Sequence, residues 1–320
     1  MERQARTGYG VAALLILSGC ALFVAGAAGI VTAPQRPLLI GTNLWVGYEP
    51  FHLARAAGAL PEDVTLVEAR SSPSLMAAVA TGSLDGAALT LDEVMRLEAA
   101  GRPMAVLAVL DVSRGADVVL ARSPAVAARG PAGARIGVEP EGGGAFRLYR
   151  FLERRGLTMG QVQVLPVAAG DHVGAMERLG LDYLVSYEPL VSRLEREGAV
   201  RVFDSGEMPG EVVDVLAVRH DRLAGRETTL RRLLLAWYRG VHLLTRDGGT
   251  WMHQVTRRQD LPEAQVRQIL ARLDFPGPDG SRALLAPDGM AVDGARRWLV
   301  ASGEVGRAPL PVLDTSFLPE

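Results

Sequence analysis

The chain has 320 residues and a formal net charge of −2, and all 34 of its basic side chains besides histidine are arginine. That length suits two domains with separate cores, and the near-neutral balance argues against a nucleic acid partner. Cys20 is the single cysteine, which excludes an intramolecular disulfide or a cysteine-ligated cluster. His52, His172, His220, His242 and His253 lack metal-ligand spacing, so neither a metal nor a cofactor is expected.

In chain order, Arg3 and Arg6 precede an apolar stretch from Val11 to about Ala33. Leu17–Ser18–Gly19–Cys20 resembles the lipobox of bacterial lipoproteins, in which Cys20 would carry the lipid. Read uncleaved, the same stretch reaches the ~20 residues that span a bilayer, with the arginines on the inner side. Both readings make residues 1–36 a signal, lipoprotein or membrane-anchor segment. Both place the rest on the periplasmic or cell-surface side of the cytoplasmic membrane, tethered to it.

The exported part alternates strands and helices, the mark of a parallel sheet. Leu38–Thr42 predicts a first strand, and Pro50 opens a helix that ends at Gly58. Val64–Val67 reads as a second strand. Asp92 is the expected N-cap of a helix closing near Ala100–Gly101, and Met104–Val109 is a buried strand. Asp117–Ala121 reads as a strand and 123–133 as a loop or short helix. A fresh series follows: strand Ala134–Val138, helix Gly144–Arg155 and strand Val162–Leu165. Strands are expected at Val200–Phe203 and Val212–Val218, then helices over Leu230–Arg246, from Asp260–Glu263 and over Val292–Val300. The tail Leu310–Glu320 reads as irregular.

One pattern occurs twice. Ser74–Gly82 is followed by Leu84–Asp85, the run Ala87–Leu89, and polar Thr90 and Asp92; Val173–Gly180 is followed by Leu181–Asp182, Leu184–Val185, and Ser186–Tyr187–Glu188. Laying Asp85 on Asp182 brings Leu84 onto Leu181 and Thr90 onto Tyr187. Each copy reads as helix, glycine turn and buried strand with a polar end. Open parallel sheets bind ligands beyond the carboxyl ends of their strands. The pattern therefore predicts two α/β lobes, residues 37–120 with 213–320 and residues 121–212, joined by crossings near 117–121 and 212–218 and able to close on a ligand.

Several motifs resemble one family. Gly41–Pro50, Gly82–Ala87, Tyr183–Pro189, Ser113–Asp117 and Asp204–Val215 are similar, in order, to segments of the nitrate/sulfonate/taurine-type substrate-binding proteins of ABC importers, a superfamily with thiamine-pyrimidine-related members. The resemblance implies a type II periplasmic-binding-protein fold, with a permease and an ATPase as partners.

The residues themselves suggest where a ligand sits. Trp45 and Tyr48, in the first strand–helix loop, suit an aromatic cleft wall. Glu49 could accept from a ligand N–H or cap the helix at Pro50. Thr90 and Asp92 end the third strand, Asp111 and Ser113 the fourth. Gly143 lies in Gly142–Gly144 before a helix, where bare N–H groups could hold an anion or simply form a loop. Tyr187 and Glu188 end the strand of the second copy, His172 is a further cleft candidate, and Asp214 lies in the return strand. With Arg70 and Arg114 the only bases expected near so many carboxylates, an amine- or pyrimidine-like ligand is expected over nitrate or sulfonate. The function expected is a monomeric, non-enzymatic solute-binding component that captures a small molecule for an importer. The alternatives are a thiamine-pyrimidine-type enzyme that consumes a histidine, for which His52 is the candidate, and a sensory input protein for a membrane kinase.

Overall fold

The computed structural model describes residues 36–139, 142–246, 248–286, 289–303 and 310–320. The expected export segment, with Cys20, lies outside the described residues. No described helix is long and apolar enough to cross a membrane.

The first lobe opens with β1 (Leu38–Thr42), α1 (Glu49–Ala56), β2 (Val64–Glu68), α2 (Ser72–Thr81), β3 (Gly86–Thr90), α3 (Leu91–Ala99) and β4 (Met104–Ser113). Local signals set these boundaries. Pro50 occupies the first turn of α1, where its missing N–H costs nothing. Ser71 caps α2, and Gly82 ends it in the left-handed region. Thr90, not Asp92, is the N-cap of α3: Thr90 has extended backbone angles, and the Glu93 carboxylate accepts its N–H at 2.9 Å. Asp92 lies instead in the first turn, where it favours the positive end of the helix dipole.

The chain crosses at 114–116 into the second lobe, which runs β5 (Asp117–Ala121), α4 (Pro124–Arg129), β6 (Arg135–Val138), α5 (Gly144–Glu153), β7 (Gln163–Pro166), α6 (His172–Arg178), β8 (Tyr183–Tyr187), α7 (Leu190–Arg196) and β9 (Val200–Asp204). It returns through 205–212 to β10 (Val213–Arg219). Then follow α8 (Glu227–Thr245), α9 (Gly248–Gln259), α10 (Glu263–Leu270), β11 (Leu273–Asp274), α11 (Pro278–Leu284), α12 (Met290–Ala301) and β12 (Val312–Leu313).

The first sheet has the order β11-β4-β10-β3-β1-β2, with β12 also on β4; the second has the order β7-β6-β8-β5-β9. Strand β5, expected at a crossing, is paired on both sides within the second sheet, antiparallel to β8 and β9, so the first crossing falls just before it. The tail expected to be irregular adds β12 parallel to β4 and buries Phe317 and Leu318. Every residue of β4 is buried, as befits an apolar run covered on both faces.

The repeated pattern is a real structural equivalence. Asp85 accepts the Leu39 N–H of β1 at 2.9 Å, and Asp182 accepts the Arg135 N–H of β6 at 3.1 Å. Ile40–Gly41 faces Gly86–Ala87 in the first sheet as Ile136–Gly137 faces Tyr183–Leu184 in the second. In each lobe the turn aspartate fixes where the first strand meets the strand of the repeat.

Two further features hold the lobes. Ser205 Oγ lies 2.7 Å from Ser113 Oγ and accepts the Gly115 N–H at 2.7 Å, lacing the two crossings together. Trp298 on α12 packs on Phe146 and Tyr149 of α5, ring centroids 6.5 and 5.1 Å apart, so one apolar cluster runs from lobe to lobe.

Candidate functional site

The cleft lies beyond the carboxyl ends of β1, β3, β6 and β8, where the chain leaves each strand and no sheet hydrogen bonds remain to be made. It is lined by Asn43, Trp45, Tyr48, Ser72, Thr90, Glu93 and Asp214 from the first lobe and by Asp117, Glu139, Gly143, Arg147 and Tyr187 from the second. The lobes are closed on it, leaving about 30 Å³ for water-sized molecules.

The loop after β1 presents the aromatic wall. Asn43 Oδ1 accepts the Trp45 N–H at 2.8 Å, a local turn that turns the indole inward. Trp45 Nε1 donates to Asp111 Oδ2 at 3.2 Å, and the Tyr48 hydroxyl donates to Asp214 Oδ1 at 2.6 Å. Tyr187 meets Trp45 edge-on from the other lobe, centroids 5.9 Å apart.

Asp111 and Asp214 are register partners on β4 and β10. Burial, then the mutual repulsion of the pair, pushes Asp111 well up; burial and Asp117 raise Asp214 to about 7, against the bond from Tyr48. Burial, with Asp92 and Asp214 adding to it, raises Glu93 to about 8. Near neutral pH Glu93 therefore keeps most of its proton while Asp214 is only part-titrated, which lets several acids share a site. Glu93 also closes the cleft: its Oε1 accepts the Gly143 N–H of the other lobe at 3.0 Å.

Among the described residues the one cation lining this chamber is Arg147, 7% exposed. Its Nη2 pairs with Asp117 at 3.0 Å. Burial works against its charge, and the surrounding carboxylates, Asp117 foremost, outweigh that effect. Among the described residues its Nε and Nη1 have no hydrogen-bond partner, nor has Thr90 Oγ1. These groups converge at Gly143, where an added Cβ would fall 2.7 Å from Arg147 Nη1 and 3.2 Å from Thr90 Oγ1. The closed cleft thus offers unsatisfied donors beside an excess of carboxyl groups. Among the described residues no group of three or more His, Cys, Asp or Glu is arranged to hold a metal ion.

Of the residues singled out in the sequence, Trp45, Tyr48, Thr90, Gly143, Tyr187 and Asp214 line the cleft; Asp111 lies directly behind Trp45, and Asp92 is buried beside Glu93. Three are elsewhere. Glu49 turns away to accept from Arg258 Nε at 3.2 Å and Gln259 Nε2 at 2.6 Å on α9. Ser113 is spent on Ser205 at the crossing. Glu188 is held by Arg201 at 3.1 Å and by the Ser192 N–H at 3.0 Å. In each case a nearer partner satisfies the group, and burial forbids leaving that partner bare. Arg114 likewise pairs with Asp274 at 2.8 Å, so Arg147 and not Arg114 is the base at the site. His52 lies outside the cleft lining, beside Thr42 and Arg55, and burial pushes it down to about 3. His172 is fully buried against Ser186 at 3.0 Å, pushed down to about 4 by burial.

Asn43, Ser72, Glu93, Asp117, Glu139 and Arg147 line the cleft without having stood out in the sequence. Two had readable signals. Glu93 stands three residues after Thr90, the capping-box spacing. Arg147 sits between Gly144 and Phe151 on the buried stripe of α5, a charge where the helical period calls for an apolar group.

Two α/β lobes, laced by two crossings and closed over a polar cleft, are the fold of periplasmic binding proteins. The structure is similar to the ligand-binding component of an ABC-type import system from Staphylococcus aureus, determined with zinc bound (13% identity, 88% of this chain and 98% of that one, TM-score 0.72). It is also similar to the periplasmic aliphatic sulphonate binding protein SsuA of Escherichia coli (16%, 88% and 91%, 0.70) and to the periplasmic nitrate-binding protein NrtA of Synechocystis (12%, 83% and 80%, 0.66). No curated protein sequence matches the chain. The profile of the NMT1-like family matches residues 32–251, and the chain belongs to that family.

Proposed function

We propose that the protein is the extracytoplasmic solute-binding component of an ABC-type importer, tethered to the membrane by its N-terminal segment and acting as a monomer with a permease and an ATPase. The observation that carries this reading is the cleft itself, whose walls come from both lobes and join through Glu93–Gly143 and Trp45–Tyr187. Binding and closure are then one event. The chemistry needed is recognition, and the groups that line the cleft are hydrogen-bonding and aromatic. The placement of His52 outside the lining speaks against a reaction that consumes it.

The ligand read from the lining is a small amine or an N–H-rich, pyrimidine-like heterocycle, in preference to nitrate or a sulfonate. Arg147 is neutralised by Asp117, which leaves Glu93, Asp214 and Glu139 to receive N–H groups. Arg147 Nη1 and Thr90 Oγ1 provide for an acceptor atom such as a ring nitrogen. Trp45 and Tyr187 supply aromatic surface for a flat or cationic group. A thermal-shift screen of the full chain against amines, pyrimidines, sulfonates and oxoanions tests this. A true ligand at ~100 times its dissociation constant adds about 2.7 kcal/mol of stability. Stabilisation by amines or heterocycles is expected; stabilisation by sulfonates or nitrate alone refutes the ligand class.

A further inference from the structure

Beyond Trp45 and Tyr187 the cleft opens into an outer chamber with about 150 Å³ of room, which shares Asn43 and that aromatic pair with the inner one. Its charge is opposite. Arg70, Arg193 and Arg258 line it, and among the described residues no acidic one does. Arg258 is neutralised behind the wall by Glu49 and Glu68. Arg70, just beyond β2, and Arg193, on α7, have no acidic partner among the described residues. One comes from each lobe. The inner lining carries Glu93, Asp117, Glu139 and Asp214 against the single Arg147. Charge therefore changes sign across the Trp45–Tyr187 contact.

We propose that this outer chamber is a second subsite, which holds an anionic substituent, a carboxylate or a phosphate ester, of a ligand whose N–H-rich end occupies the inner chamber. The inference rests on the ligand class proposed above and extends it to an amphoteric solute. A guanidinium from each lobe meets the anion only when the lobes are closed, so the substituent adds a charge-assisted bridge to closure. Leu44 and Leu190 flank the arginines with apolar surface for the link between the two ends.

Two arms test it with the full chain, the variant Arg70→Gln/Arg193→Gln, and a control, Arg232→Gln/Arg239→Gln, on exposed positions of α8. In the first, the melting temperature is followed in millimolar inorganic phosphate at constant ionic strength. In the second, calorimetry compares benzylamine with its para-carboxylate. Phosphate should stabilise the wild type and the control but not the Arg70/Arg193 variant, and the carboxylate should bind about tenfold more tightly than the parent amine only where both arginines remain. Equal phosphate shifts in all three proteins, or a carboxylate advantage that survives loss of both arginines, overturn the subsite. A phosphate effect that depends on the arginines, with no amine bound by any protein, leaves the subsite standing and counts against the inner ligand class instead.

Discussion

At Gly143 the backbone of one lobe meets the carboxylate of the other, and the lack of a side chain lets Arg147 and Thr90 point to the same spot. Gly143→Ala puts a methyl 2.7 Å from Arg147 Nη1, whose guanidinium is already fixed by Asp117. We expect at least tenfold weaker ligand binding by calorimetry, about 1.4 kcal/mol, together with a loss of about 1–3 kcal/mol in urea unfolding, because Gly143 is buried and the methyl overpacks the site. Unchanged affinity would mean that closure does not bring these groups together. The paired aspartates give a second prediction. Asp85 is 1% exposed, whereas the Asp182 side chain is 23% exposed and can be replaced by water. In urea unfolding, Asp85→Ala should cost about 1–3 kcal/mol, and Asp182→Ala less. This part of the molecule was legible because it is local: glycine turn and aspartate recur in one order, although the helix expected from Val173 is broken at Val173–Gly174 and only its last turn matches the first copy. That Glu49, Ser113 and Glu188 lie away from the cleft lining was not legible, for the opposite reason. Their partners Arg258, Ser205 and Arg201 are brought to them by other elements, and nothing local to each residue announces that.

Among the elements, α8 packs on α1 through a glycine. An added Cβ at Gly240 would fall 1.9 Å from the Pro50 carbonyl oxygen, a backbone atom that cannot swing aside. Gly240→Ala should therefore separate the helices and destabilise by at least about 1–3 kcal/mol despite alanine's better helix propensity, as read from urea unfolding. Because α1 follows the loop that carries Trp45 and Tyr48, the same variant should weaken ligand binding. A stability gain would show that the helices are not in this close contact. The strands and helices of both lobes were readable from period and caps. The helices α7, α9 and α11, the two-residue strands β11 and β12 and the position of β5 were not. Short strands are defined by what they pair with, here β4, and β5 reads equally well as the end of one sheet or the start of another.

For the whole molecule, buried titrating groups link stability to pH. Burial holds His52 and His172 down at about 3 and 4, so from about pH 4 to 6.5 the folded chain carries fewer protons than the unfolded one, and stability rises with pH. Glu93 and Asp214, held up to about 8 and 7, act the other way from about pH 4 to 8. The two sets oppose each other below about pH 6.5, and above it only the carboxyls act. Unfolding free energy should fall by about 2–3 kcal/mol between pH 6.5 and 8, less so in Glu93→Gln. The same protons report on the ligand. A cation entering the closed cleft must meet ionised carboxylates, so Glu93 and Asp214 give up protons; an anion would make them take protons up. Calorimetric titration at neutral pH, repeated in buffers of differing ionisation enthalpy, counts those protons directly. Binding of an amine or protonated heterocycle with net proton release is the expected result. Tight binding of a sulfonate or nitrate with net proton uptake, and no heat from any amine or heterocycle, would contradict it.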